Sequence, residues 1–284
     1  MKKEDSLKPK NLKEALKNKL TKDEFVFAPK AFDSFGDVAV IEIPKELTKK
    51  KKIIGETLLL VQPRFRTVCS IESNHEGEFR VQKVKVIAGK KDLIANYKES
   101  GVTLKVPLGK VFFSPRLGSE RLRIAQEIKK NEIVGAWFSG VGPYPIVLAK
   151  NSKMLKAVAI ELNPVAHEFA IKNGEINKCS NKIDFVFGDV KKVYKKYKNF
   201  FDRIAMPLPH TGYQFLDEAF YCIKNKGIIH FYEIVEKGNF KLVEKQVKDS
   251  AKKMNKKIRI ISKKKVRQFS PSKEQVVFDI KVIN

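Results

Sequence analysis

Hydrophobic and polar positions change rhythm near residue 115 of this chain. Ahead of that point apolar residues come in short runs of strand character: GDVAVIEI (36–43), GETLLLV (55–61), FRVQKVKVIAG (79–89) and VTLKVPLGKVFFS (102–114). The KELTKKKK run between the first two reads as a solvated helix or turn. From about Glu120 helical and strand periods alternate. ERLRIAQEIKK (120–130) predicts a helix, EIVGAWF (132–138) a strand, 143–150 a helix, KAVAIE (156–161) a strand, and the stretch from Asn163 to about Asn177 a helix. KIDFVFG (182–188) and DRIAM (202–206) predict the third and fourth strands of this part. A helix at 213–224, the strand GIIHFYEI (227–234), a helix at 240–254 and strands at 257–264 and 275–283 complete it. Alternation of this kind belongs to a doubly wound α/β sheet, and the segments before it to a small α+β domain. The expected organisation is an N-terminal arm (1–22) with one short helix around Leu12–Leu20, an α+β domain (23–115), and an α/β domain (116–284).

Composition narrows the possibilities. The 284 residues hold 58 Lys and Arg against 32 Asp and Glu, a net charge of +26, which favours a polyanionic partner such as nucleic acid. A Lys-rich proteome gives the same number without such a partner. No run approaches the roughly 18 apolar residues of a membrane span, and the N-terminus MKKEDSLKPK lacks the apolar core of a secretory signal, so the expected location is the cytoplasm, without membrane association. Cys69, Cys179 and Cys222 have no metal-type spacing and read as reduced thiols. His75, His167, His210 and His230 are scattered, and no metal site is expected.

Candidate chemistry lies at the first strand of the α/β part. EIVGAWF runs directly into SGVGPYPI (139–146), a glycine turn at the carboxyl edge of the sheet, where open α/β folds bind ligands. Gly140 and Gly142 permit close backbone approach, and the next strand ends in Glu161, an acid suited to both hydroxyls of a ribose. Asp189 follows Gly188 after the third strand, within reach of an adenine amino group. A dinucleotide enzyme would need a third glycine where this chain has Pro145. S-adenosylmethionine needs only close approach, a ribose acid and an adenine pocket, and fits better. A glycine turn beside a surface acid in a non-catalytic domain is the remaining alternative.

Six blocks in order then make a family visible: FDSFGDVAVIEIP (32–44), GEFRVQKVKVIAG (77–89), VFFSPRLGSERLRIA (111–125), FSGVGPYPI (138–146), AIELNP (159–164) and DRIAMPLP (202–209). Across roughly residues 32–235 the chain resembles the archaeal and eukaryotic tRNA guanine-37 N1-methyltransferases, whose catalytic domain is shared with wybutosine aminocarboxypropyl transferases. The resemblance implies a class I, Rossmann-like, S-adenosylmethionine-dependent methyltransferase domain preceded by a small α+β RNA-facing domain. It implies tRNA as partner, through position 37 of the anticodon loop; the expected state is a monomer. It matches the family's base to Glu120, its cation for charge on guanine O6 to Arg80, and its cofactor contacts to Phe112, Arg116, Phe138, Gly140, Val141, Gly142, Glu161, Leu162, Asn163 and Asp189. Arg116 would pair with the methionine carboxylate and Phe112 would pack near the sulfonium. Arg121 and Arg123 are candidates for phosphate contacts.

Two departures from the family pattern stand out. Guanine-37 methyltransferases usually have Asn followed by Leu-Pro or Pro-Pro after the fourth strand; here the position is Pro207, which has no side-chain amide to grip the base. The expected pocket is wider, in keeping with relatives that also methylate C7 of 4-demethylwyosine. The same departure admits the aminocarboxypropyl transferase, or an RNA-binding relative without catalysis. The second departure is the short N-terminal segment, expected to be too small for the tRNA-elbow domain that many relatives carry.

Overall fold

The computed structural model describes residue 9 and residues 11–283, so the start of the expected arm, residues 1–8 and residue 10, lies outside the described residues. The chain divides into two compact units, one comprising residues 1–98 and 105–115, the other residues 99–104 and 116–284. No single cut separates them, because the short segment Glu99–Leu104 belongs with the second unit.

The first unit begins with α1 (Leu12–Leu16) and α2 (Lys22–Val26). Asn11 caps α1, and Thr21 with Glu24 forms a capping box on α2. The arm expected over 1–22 is corrected here. Leu12, Leu16 and Leu20 are buried in one cluster with Ile41, Leu47, Ile54 and Leu58, so this part of the segment belongs to the core. Strands β1 (Asp33–Phe35) and β2 (Val38–Ile41) precede α3 (Lys51–Val61), which is followed by β3 (Thr67–Glu76) and β4 (Val81–Gly89) in a four-stranded sheet of order β1-β2-β3-β4. GETLLLV is therefore helical, not a strand. Its unbroken apolar run carries no period, and helix is favoured because Gly55 lets the backbone approach Ile87 and Ala88 of β4, where an added Cβ would stand 2.8 Å from that of Ala88. Strand β3 was not expected at all. Strands β5 (Ile94–Glu99) and β6 (Val102–Pro107) form a ribbon joined by Ser100 and Gly101, both with positive φ, the backbone of a tight two-residue hairpin.

The second unit follows the expected alternation. Its elements are α4 (Gly118–Glu127), β7 (Ile133–Trp137), α5 (Pro143–Asn151), β8 (Lys156–Glu161), α6 (Pro164–Ile176), β9 (Ile183–Phe187), α7 (Val190–Val193), β10 (Phe201–Met206), α8 (Leu216–Cys222), β11 (Ile223–Glu236), α9 (Lys241–Lys253), β12 (Ile258–Gln268) and β13 (Lys273–Val282). The sheet order is β12-β13-β11-β10-β7-β8-β9. Strands β7 to β11 run parallel, and β13 inserts antiparallel between β11 and β12. Order reverses between β7 and β10, and the carboxyl ends at such a switch point are where open α/β sheets bind ligands. Trp137, Phe201, Phe220, Phe231 and Phe278 fill the core of this unit. Among the described residues no helix is long and apolar enough to cross a membrane.

Candidate active site

The turn after β7 requires left-handed backbone at three positions: Phe138 (φ 55°), Gly140 (φ 55°) and Gly142 (φ 85°). At Gly142 a side chain would meet Ile146 at 2.9 Å and Ala170 of α6 at 3.4 Å, so glycine here allows α5 and α6 to pack beside the turn. The turn is tied to β8 by its acid. Glu161 Oε2 accepts the Gly140 N–H at 2.6 Å and Oε1 accepts the Asn163 N–H at 2.7 Å. Burial pushes the Glu161 carboxyl above its ordinary value, while the N–H groups of Asn163, Gly140 and Leu162 oppose that shift. Three backbone N–H groups thus orient the carboxylate, which keeps acceptor capacity for a ligand hydroxyl.

The neighbouring strand joins through Gly188, whose N–H donates to the Glu161 carbonyl at 2.9 Å. Asp189 then caps α7, accepting the Lys191 N–H at 2.8 Å. Asn163 caps α6 through Val165 and Ala166, and the Val141 carbonyl accepts from Asn173 Nδ2 at 2.9 Å. Phe138 packs edge-on against Phe215. The structure thus brings Phe138, Gly140, Val141, Gly142, Glu161, Leu162, Asn163 and Asp189 to one sheet edge. Sequence reading missed Ser139 in the same turn, whose buried Oγ has no hydrogen-bond partner among the described residues. An unsatisfied hydroxyl beside a ribose-type acid suits a polar adenosyl ligand.

Arg80 and Phe112 belong to the first unit. Arg80 sits in the β3–β4 turn with φ 49°, its carbonyl 3.0 Å from His75 Nδ1, and the His75 ring packs on Phe112 at 5.4 Å. Arg116 lies in the short 3-10 turn Pro115–Leu117 ahead of α4. Pro207 follows β10 and centres a tight turn in which the Leu208 N–H donates to the Met206 carbonyl at 2.8 Å. Beyond it the His210 N–H donates to Glu233 Oε1 at 2.6 Å, on the wall of a cavity of about 450 Å³ that Tyr213 and Lys273 also line.

Glu120 is buried at the start of α4. Its Oε1 accepts from Arg123 Nη2 and from the Tyr232 hydroxyl, both at 2.7 Å, and its Oε2 accepts from Arg123 Nε at 2.8 Å. The phosphate-contact expectation for Arg121 and Arg123 is corrected by these pairings. Arg121 is buried and held at 2.6 Å by both oxygens of Glu99, and Arg123 is spent on carboxylates. Glu127, His230 and Asp279 place ligand atoms within 4.8 Å of one another, yet Arg123 and Arg203 hydrogen-bond to members of the same group, and two guanidiniums disfavour a metal cation there.

A seven-stranded sheet of this order, with a glycine turn on its first strand and an acid ending its second, defines a class I methyltransferase. The TRM5/TYW2 methyltransferase domain matches residues 95–261 and the TYW2 N-terminal domain matches residues 12–92; the chain belongs to the TRM5/TYW2 family. It is 33% identical over 257 residues to a tRNA (guanine(37)-N(1))-methyltransferase, Trm5b, of Pyrococcus abyssi, covering 90% of this chain and 76% of that protein. It is 31% identical over 253 residues to the tRNA(Phe) (4-demethylwyosine(37)-C(7)) aminocarboxypropyltransferase of Methanocaldococcus jannaschii, covering 88% and 97%. Among solved structures, the complex of aTrm5 and tRNALeu superposes with a TM-score of 0.85 at 31% identity, covering 97% of this chain and 79% of that one. M. jannaschii TYW2 in complex with AdoMet gives 0.70 at 27% identity, covering 89% and 99%.

Proposed function

We propose that this chain methylates N1 of guanosine 37 in tRNA, using S-adenosylmethionine. The observation that carries the reading is the Glu120 carboxylate. Alkylation at N1 leaves a proton to be removed, and Glu120 is a buried carboxylate whose Oε2 has one lone pair without a donor. Glu161 would take the ribose hydroxyls, Asp189 the adenine amino group, and Gly140, Gly142 and Ser139 would approach the cofactor from the turn. Phe138, Val141, Leu162 and Asn163 would wall it. Bound S-adenosylmethionine supplies an electrophilic methyl group on a positively charged sulfur. Arg116 as carboxylate partner, Phe112 beside the sulfonium and Arg80 as the cation for O6 rest on the family resemblance. Pro207 removes an amide from the base-facing turn, which supports a second methylation, at C7 of 4-demethylwyosine. The net charge of +26 supports tRNA as the partner.

One observation favours a second reading: residues 12–92 match an N-terminal domain described for TYW2. That supports transfer of the aminocarboxypropyl arm of the same cofactor. The two are separated by S-adenosylmethionine labelled in the methyl group or in the aminocarboxypropyl arm, incubated with tRNA carrying guanosine or 4-demethylwyosine at position 37. Mass analysis of the digested nucleosides should find methyl label in 1-methylguanosine. Label from the other arm would establish the second reading, and failure to bind the cofactor in calorimetry would overturn both.

A further inference from the structure

A polar chain runs from the central strands of the second unit to Glu120. Strand β11 places His230 directly opposite Asp279 of β13, and beside Ala205 of β10. His230 Nδ1 lies 2.6 Å from Asp279 Oδ1, and its Nε2 lies 2.7 Å from Arg203 Nη1. Arginine only donates, so Nε2 accepts, Nδ1 carries the proton, and His230 is neutral. Burial lowers its pKa in the same sense. Arg203 is balanced by Glu132, with contacts at 2.8 and 3.2 Å. On the other side Asp279 meets Arg123, with Nη1 donating to Oδ2 at 3.0 Å and Nη2 to Oδ1 at 3.3 Å.

Arg123 has five N–H groups, and each has a partner. Nε and one N–H of Nη2 go to Glu120, the other Nη2 hydrogen and one of Nη1 go to Asp279, and the last goes to Glu127 at 2.6 Å. Were stability the only requirement, apolar residues of similar volume would fill this space at no loss. Three carboxylates on one guanidinium divide its field, and Glu120 receives only a share.

Resting on the reading of Glu120 as the base, we infer that Asp279, oriented by His230, is a positioning residue that limits the hold of Arg123 on Glu120 and keeps Oε2 able to take a proton. The groups facing Glu120 are Arg123 of α4, Tyr232 of β11 and Tyr144 of α5; Asp279 of β13 and Glu127 act on it through Arg123. Asp279→Asn removes a competing negative charge, so the ionised form of Glu120 is favoured and it becomes a weaker base. Tyr232→Phe deletes a hydrogen bond to the ionised form and acts in the opposite direction.

The test is the pH profile of single-turnover methyl transfer, with S-adenosylmethionine and a guanosine-37 tRNA transcript. In parallel, the 13C titration of carboxyl-labelled glutamate in the same proteins is followed, with Glu120 assigned as the resonance missing from Glu120→Gln. For Asp279→Asn the acidic limb and the resonance midpoint should both move to lower pH, and the plateau rate should drop roughly 3- to 10-fold. Tyr232→Phe should move the acidic limb the other way, and Glu127→Gln, which removes the other competing carboxylate from Arg123, should move it as Asp279→Asn does and answers the question if Asp279→Asn does not fold. Cofactor affinity should stay within about twofold in each. A fall in active fraction with unmoved midpoints, or movement in the wrong direction, overturns the inference. Retained single-turnover activity in Glu120→Gln would instead remove the reading on which it rests, whatever Asp279→Asn does.

Discussion

Replacing Glu161 by Ala should weaken S-adenosylmethionine binding by about 1.5–3 kcal/mol, the range for hydrogen bonds to a charged group. The magnitude follows from how the carboxylate is used. Three backbone N–H groups orient it, Gly140 at 2.6 Å and Asn163 at 2.7 Å together with Leu162, and its remaining acceptor capacity is left for a ribose hydroxyl. Ligand hydrogen bonding to a charged group is lost, offset in part by water in the cofactor-free protein. The expected change is a roughly 10- to 150-fold larger Kd. A pH dependence accompanies it. Because burial raises the Glu161 pKa, the carboxylate is ionised only above a value higher than that of an exposed glutamate. Affinity should therefore be full well above that raised value and decline as pH falls through it, while the Ala variant shows a flat profile over the same range. Isothermal calorimetry at several pH values measures both, with melting curves confirming that each protein is folded. An unchanged Kd in folded Glu161→Ala, or wild-type affinity that improves toward low pH, would refute the assignment of this carboxylate to the ribose.

Binding of tRNA should weaken steeply with salt, with a log–log slope equivalent to about four or more released counterions, measured by filter binding; a flat slope would make the +26 charge unrelated to tRNA. Pro207→Asn should raise guanosine N1 methylation relative to C7 methylation of 4-demethylwyosine when both tRNAs are supplied, since a polar grip discriminates better than an apolar wall. An unchanged ratio by nucleoside mass spectrometry would make Pro207 neutral. Leu16→Ala should destabilise the protein by about 2–4 kcal/mol in chemical denaturation, because Leu16 is fully buried in the first unit's core; a loss near zero would return the segment to the status of an arm.

The second unit was legible because its strands end in turns with their own chemistry. KAVAIE stops at Glu161, Asn163 and Pro164 start a helix through a cap and a first-turn proline, and each boundary falls where these residues place it. The first unit was less so. TVCSIESNHE mixes polar and apolar residues without strict alternation, because β3 is buried on both faces at its start and exposed at its end. GETLLLV shows the opposite difficulty, since a run without polar interruption fits either period. At the site, the glycine turn and Glu161 were visible from position alone. Arg123 looked like a surface cation because nothing local signals that Asp279, 156 positions later, lies against it. His230 looked like an isolated histidine for the same reason. Such pairings are made by the sheet order, and no window of sequence contains them.

That sheet order also governs how the second unit is born. The strand between β11 and β12 is β13, so the last strand of the sheet to be synthesised occupies an interior position. While the ribosome is still making residues 273–282, β11 has an open edge, and His230 and Arg123 lack the aspartate that balances them. The parallel strands can gather early, but the polar chain behind Glu120 closes only when β13 slides into place. Pairing of this strand with β11 is thus what completes the charge balance around Arg123 and His230. A truncation before Lys273 would leave the residues of the glycine turn and Glu161 in the chain while removing Asp279 and the aspartate-guanidinium contact.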